Sequence, residues 1–267
     1  MNILDSVVLG SLQGVTEFLP ISSSGHLVLA ESFMGLDISE LKSFDVAVHM
    51  GTLFSILAYF RNDVIQMLKA FFRFISFRIK WDRDEKILAY IVVGTVPAVF
   101  IGVLFGDKID YVFRNPFAVF GCMIFTAILF LVAEFVNKIS IKSMDNKRIN
   151  ALKSIIIGFF QAVALIPGVS RSGSTISGGL ISGLNREEAA RFSFLLGIPA
   201  IFGAGILTIF AGEGFDEPLI NLFIGFAVSG IVGFFSICFL MRFIKKHSLV
   251  WFSAYLIIIG GIGLVFG

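Results

Sequence analysis

In this 267-residue chain, the residues able to do acid–base or nucleophilic chemistry on an oxyanion gather in two short stretches, QGVTEFLPISSSGH (13–26) and PGVSRSGST (167–175). Gln13 and Glu17 are four residues apart, so on a helix both project from one face. A carboxylate in apolar surroundings needs a partner, and Arg171 is the only basic residue in either stretch. Its planar fork of donors suits an oxyanion. Ser22, Ser23, Ser24 and Gly25 in the first stretch, and Ser170, Ser172, Gly173, Ser174 and Thr175 in the second, are small residues at the start of apolar runs. Unpaired amides and the positive dipole end at such helix starts make an anion site. His26, four residues after Ser22, can reach a serine hydroxyl or a bound phosphate. Two helix starts, an arginine, a carboxylate and a hydroxyl describe a phosphate pocket better than a metal-only or sugar site. Blander roles stand beside this one: a Glu17–Arg171 pair that only locks the fold, serines that only cap helices, and a His26 satisfied in the core. His49 and His247 lack comparable neighbours in sequence and are assigned structural and interfacial roles.

The elements that must position these residues lie in a membrane. Hydrophobic residues make up 57% of the chain and charged residues 15%, and the mean hydropathy is +0.92, far from the balance of a soluble domain. A net charge of +2 gives no basis for nucleic-acid binding. Cys122 and Cys238 lack the paired spacing of a metal site or disulfide framework and are expected to pack. No positive region precedes the first apolar run, so a retained N-terminus is expected.

A helix needs roughly 20 apolar residues to cross the hydrocarbon core, and six stretches approach that length: 43–61, 87–106, 116–137, 187–211, 218–241 and 249–266. Four shorter stretches, 2–18 with 24–36 and 151–166 with 174–184, form two pairs, each broken by a joint rich in Pro, Ser and Gly. Each pair is expected to be a re-entrant hairpin whose joint lines a cavity. Of 21 Lys and Arg residues, 17 fall in 61–86, 138–153, Arg186 with Arg191, and Arg242 with Lys245 and Lys246, whereas the connection GEGFDE (212–217) is purely acidic. The positive-inside rule then brings residues 1–42 in from outside and 150–185 in from the cytoplasm. Residues 10–26 also align without gaps on 158–174, matching Gly10 with Gly158, Gln13 with Gln161, Ser22 with Ser170, Ser24 with Ser172 and Gly25 with Gly173. Three crossings between the copies invert the second. The expected architecture is therefore an all-α polytopic membrane protein of one domain, 1–267. It has six transmembrane helices and two re-entrant hairpins in an inverted repeat, about 1–137 and 150–267.

The two stretches resemble the signature regions of the bacterial undecaprenyl-diphosphate phosphatase family of the bacitracin-resistance type, and the likeness runs along essentially the whole chain, including GTVPAVFIG (94–102). The resemblance implies hydrolysis of the terminal phosphate of a membrane-embedded polyprenyl diphosphate in the bacterial cytoplasmic membrane, recycling the carrier lipid of cell-wall synthesis. A homodimer is among the assemblies it allows, and the external face is the expected opening of the site. It makes Glu17, Ser23, His26 and Arg171 the catalytic set, with Gln13, Ser22, Ser24, Gly25, Ser170, Ser172, Gly173 and Thr175 around the phosphates. It also implies a divalent cation, Mg or Ca, near Glu17, although Gln13 stands where some members carry a second glutamate. Ser23 and His26 both remain candidates for the nucleophile. The Ser-Gly-His and Ser-Arg echoes of type-2 phosphatidic-acid phosphatases are partial, since Ser177 and Ile181 stand where that family has His and Asp. A lipid-phosphate transporter of inverted-repeat architecture is the alternative function.

Overall fold

The computed structural model describes residues 1–37, 41–113, 116–140, 148–210 and 217–266. The described residues form eleven helices: α1 (Ile3–Phe18), α2 (Ser23–Phe33), α3 (Lys42–Tyr59), α4 (Arg61–Ile75), α5 (Arg83–Phe113), α6 (Pro116–Ser140), α7 (Ala151–Val163), α8 (Arg171–Ile181), α9 (Arg186–Phe210), α10 (Leu219–Phe243) and α11 (Val250–Phe266). Both expected short pairs are present, as α1 with α2 and α7 with α8. The chain is an all-helical, multi-pass membrane protein. By length and composition α5, α6, α9 and α10 can each cross a bilayer, and α3 with α4 qualifies only as a bent pair. The acidic connection at 212–217 lies outside the described residues except for Glu217, as do Arg114, Lys142 and Lys147 of the charge count.

The 61–86 segment, expected to be only a basic connection, contains α4, which turns 89° from α3. Its apolar residues recur at helical spacing, with Ile65, Leu68, Phe72 and Ile75 along one side and Asn62, Gln66, Lys69 and Arg73 along the other. A count of positive charges alone hides that period.

Small residues set how closely the helices pack. A Cβ on Gly10 of α1 would lie 2.9 Å from the Gly225 carbonyl oxygen of α10, and one on Gly158 of α7 would overlap the Gly94 carbonyl oxygen of α5. Glycines matched by the sequence repeat thus bring α1 onto α10 and α7 onto α5. Helix α3 packs on α9, and α6 on α11. Ser55 Oγ donates to the Gly230 carbonyl at 2.6 Å and Ser229 Oγ to the Val48 carbonyl at 2.8 Å, tying α3 to α10 across an apolar interface. Pro97 and Pro199 lie within α5 and α9, which continue through them.

Candidate active site

Both hairpin joints begin their second helix in the same way. Ser22 caps α2 by accepting from the Gly25 amide at 3.3 Å, and Ser170 caps α8 by accepting from the Gly173 amide at 3.1 Å. Ser22 holds a positive φ of 71°, a conformation unfavourable for a residue with a Cβ. Helix α6 underlies both joints. A Cβ on Gly25 would meet Met123 Cε at 2.5 Å, and one on Gly173 would meet Phe130 Cζ at 2.6 Å. The two glycines therefore let both helix starts seat on one support. Ser24 Oγ accepts from the Gly168 amide at 3.5 Å, linking the joints directly.

Glu17 is the hub. It is only 6% exposed. Its Oε1 accepts from Arg171 Nη2 at 2.6 Å, and its Oε2 accepts from Ser23 Oγ at 2.7 Å and from Gln13 Nε2 at 3.2 Å. Charge-assisted bonds of this length are the strong class. Ser23 and Arg171, the first residues of α2 and α8, are thus joined through one carboxylate although 148 positions separate them in the repeat. Arg171 Nη1 also donates to the Ser193 carbonyl at 3.4 Å, and a Cβ on Gly197 would overlap the guanidinium. Thr175 Oγ1 donates to the Arg171 carbonyl at 2.8 Å and also bonds Ser193 Oγ. Ser170 and Ser172 bond each other at 3.3 Å, and Ser170 N donates to Thr126 Oγ1 at 3.4 Å. The structure therefore brings Gln13, Glu17, Ser23 and Arg171 into one cluster and places the capping serines, glycines and Thr175 beneath it.

Two histidines lie near the cluster. His26 Nδ1 lies 2.8 Å from the Ser22 carbonyl and Nε2 2.8 Å from the Tyr255 hydroxyl. A carbonyl can only accept, so Nδ1 carries the proton and Nε2 accepts from Tyr255. Both nitrogens are engaged, so His26 ties the turn below Ser23 to α11. His49, assigned a structural role from sequence, has its Nε2 3.8 Å from Glu17 Oε2, while its Nδ1–H donates to the Asp45 carbonyl at 2.7 Å. Sequence carried no local signal for this contact, because His49 lies 32 positions after Glu17 and on another helix.

The donor set can be tested against a divalent cation. Magnesium takes six oxygen ligands and calcium roughly six to eight. Both Glu17 oxygens already accept hydrogen bonds, one from a guanidinium that would repel a cation. Among the described residues no three His, Cys, Asp or Glu side chains gather as a ligand set. The residues present do not fit a Mg or Ca ion held by Glu17.

A buried serine–carboxylate–guanidinium cluster thus lies where two pairs of short helices meet in a multi-pass membrane protein. The family model described as bacitracin resistance protein BacA matches residues 6–262, and the chain belongs to that family. It is 43% identical to an undecaprenyl-diphosphatase of Rubrobacter xylanophilus over 96% of this chain and 94% of that protein. The undecaprenyl-diphosphatase of Corynebacterium efficiens is 41% identical, over 96% of this chain and 87% of its own length. That of Chloroherpeton thalassium is 38% identical, over 97% and 95%.

Proposed function

We propose that this chain is an undecaprenyl-diphosphate phosphatase, a hydrolase that releases the terminal phosphate and returns undecaprenyl phosphate to cell-wall synthesis. Family membership supports the activity, and the observation that carries the chemistry is Glu17 bonded to both Ser23 and Arg171. Ser23 Oγ attacks the terminal phosphorus and gives its proton to Glu17. An Oγ–P bond forms, the bridging P–O bond breaks, and undecaprenyl phosphate departs with the bonding pair. Water then attacks the phosphoserine phosphorus, the Oγ–P bond breaks with its pair on Oγ, Glu17 returns its proton to Oγ, and the water's protons leave with the released phosphate. Arg171 and the first amides of α2 and α8 hold the phosphoryl oxygens, where positioning and electrostatics supply most of the rate. Substrate competes with Glu17 for the guanidinium, so binding frees the carboxylate as a base. His26 keeps the Ser22–Ser24 turn in place.

The finer architecture belongs to the same proposal: six crossings, two re-entrant hairpins, and inverted repeats of about 1–137 and 150–267 within one domain. It is supported by the exchange symmetry of the packing, α1 on α10 with α7 on α5, and by α3 and α6 pairing with their own counterparts. The site is assigned to the external face of the bacterial cytoplasmic membrane. A membrane-impermeant label on a cysteine engineered beside Ser23 tests that side, and the mass of the protein–detergent particle tests a homodimer. The activity itself is tested with purified protein and a short prenyl diphosphate. Phosphate release, with a phosphoenzyme trapped on Ser23, is expected. Movement of lipid phosphate across sealed vesicles without phosphate release would replace the hydrolase with a transporter.

A further inference from the structure

Helix α4 and the segment after it lie away from the catalytic cluster and carry an organised surface of their own. Turned 89° from α3, α4 presents Ile65, Leu68, Phe72 and Ile75 outward, and Lys69 lies exposed on its polar side. The helix does not fray into the next residues. Phe77 N donates to the Phe74 carbonyl at 3.1 Å and Arg78 N to the Arg73 carbonyl at 2.9 Å, the paired bonds of a Schellman stop. The left-handed position of that motif normally belongs to glycine. Here it holds Phe77, at φ 53° and 93% exposed.

The chain then runs Phe77-Arg78-Ile79-Lys80-Trp81, alternating apolar and basic residues that are all exposed. Trp81 again has a positive φ, 51°. Bulky residues seldom adopt this conformation, and here it occurs at both ends of a five-residue run. The run is held against α4, because Arg73 donates to Asp82 at 3.0 Å and to Glu85 at 2.9 Å. Glu85 Oε2 in turn accepts from the Lys80 amide at 2.8 Å. Three of the nearby acids are engaged internally: Asp82 and Glu85 by Arg73, and Asp63 by Arg191. What faces outward is an aromatic ridge rimmed by Arg61, Lys69, Arg78 and Lys80.

We propose that α4 and residues 77–81 form a docking surface for the phosphate headgroups of anionic phospholipids. The aromatic ridge enters the acyl boundary and the basic rim selects negative headgroups. A helix lying across the span direction, with an apolar side and cationic flanks, has the geometry of an interfacial element. Exposed tryptophan beside such a face sits at headgroup depth, and basic residues close to an anionic surface gather its lipids. The surface lies on the side of the membrane to which the basic connections are assigned, opposite the side assigned to the catalytic cluster.

The test uses the full chain carrying Trp251→Phe, which leaves Trp81 as the only tryptophan. The protein is reconstituted in vesicles containing equal mole fractions of phosphatidylglycerol and phosphatidylcholine, with bromine on the acyl chains of one lipid or the other. Trp81 is expected to be quenched about twofold or more strongly by brominated phosphatidylglycerol. That preference should collapse in 1 M salt, where screening reaches about 3 Å. It should also vanish in the Arg61→Gln/Lys69→Gln/Arg78→Gln/Lys80→Gln protein, while quenching by brominated phosphatidylcholine persists and shows the ridge still seated. Equal quenching by the two lipids in the parent, or a preference that survives salt or the four substitutions, overturns the proposal. So does Trp81 shielded from both lipids, which would mean that protein covers the surface.

Discussion

The two hairpins share a frame but not a task. Each second helix has 11 residues, a serine cap and a glycine seated on α6. The difference lies at the aligned positions in between. Where α2 begins with Ser23, α8 begins with Arg171, and where the last turn of α1 carries Glu17, the matching residue is Leu165. In the mechanism proposed above, the first stretch supplies nucleophile and base and the second supplies the cation. Two stretches aligned in sequence thus share a capped, glycine-seated helix start while the proposed chemistry divides between them. Burial follows the same division. Residues Ser172–Leu180 of α8 are buried, whereas α2 buries Gly25, His26, Leu27 and Glu31. The arginine therefore stands on a more deeply packed platform than the serine.

The strongest way to break this comparison is to remove each copy's contribution separately. Ser23→Ala should lower kcat by about 10⁴-fold or more, as loss of a nucleophile does, and should abolish a phosphoenzyme detectable by mass. His26→Gln that retains the phosphoenzyme on Ser23 would confirm the bracing role of the imidazole. Arg171→Ala should cost about 10³-fold or more, the scale of arginines that stabilise phosphoryl transfer. Arg171→Lys should recover little of it, because an ammonium lacks the fork that spans Glu17 and the Ser193 carbonyl. A mutant of either residue with normal turnover would reduce the Glu17–Arg171 pair to a structural lock.

That lock can be measured independently of turnover. Glu17→Gln alone leaves the Arg171 guanidinium without its carboxylate and should destabilise the fold by about 3–5 kcal/mol. The Glu17→Gln/Arg171→Met double substitution should recover part of the stability and none of the activity. Thermal unfolding in detergent alongside phosphate release distinguishes the two roles. Full activity in the double substitution would make the cluster a scaffold.

Much of this site is legible in the amino-acid sequence, and the part that is not follows a physical pattern. Both hairpins, their joints and the Glu17–Arg171 pairing follow from local signals: spacing on one helix face, cap residues, and a lone arginine in apolar text. The contacts that sequence does not show have no local signature. His26 meets Tyr255 across 229 positions, and His49 reaches Glu17 from another helix. Helix α4 is hidden for a different reason. Its basic residues mark a membrane side, and that reading says nothing about whether the segment between them is folded.

The smallest expected effects sharpen the comparison most, because they concern a side chain that both copies kept. Gln13 and Gln161 are aligned and both buried, at 0% and 2% exposure. Gln13 spends its amide on Glu17 and leaves Oε1 without a hydrogen-bond partner, whereas both polar atoms of Gln161 lack one among the described residues. An amide that bonds nothing can be replaced by an apolar side chain at little cost. Gln161→Met should thus change turnover by less than about threefold, and Gln13→Met, which strips Glu17 of a donor, by about tenfold. Gln13→Glu goes further, since it sets a second carboxylate one helical turn from Glu17, where like charges repel unless a cation joins them. Substrate-free wild-type protein, whose Glu17 is already occupied by donors, should bind no Mn²⁺ by electron paramagnetic resonance, and Gln13→Glu should bind it. Stoichiometric Mn²⁺ on the wild type that disappears in Glu17→Gln would restore the metal to Glu17 and end the role assigned to the Gln13 amide.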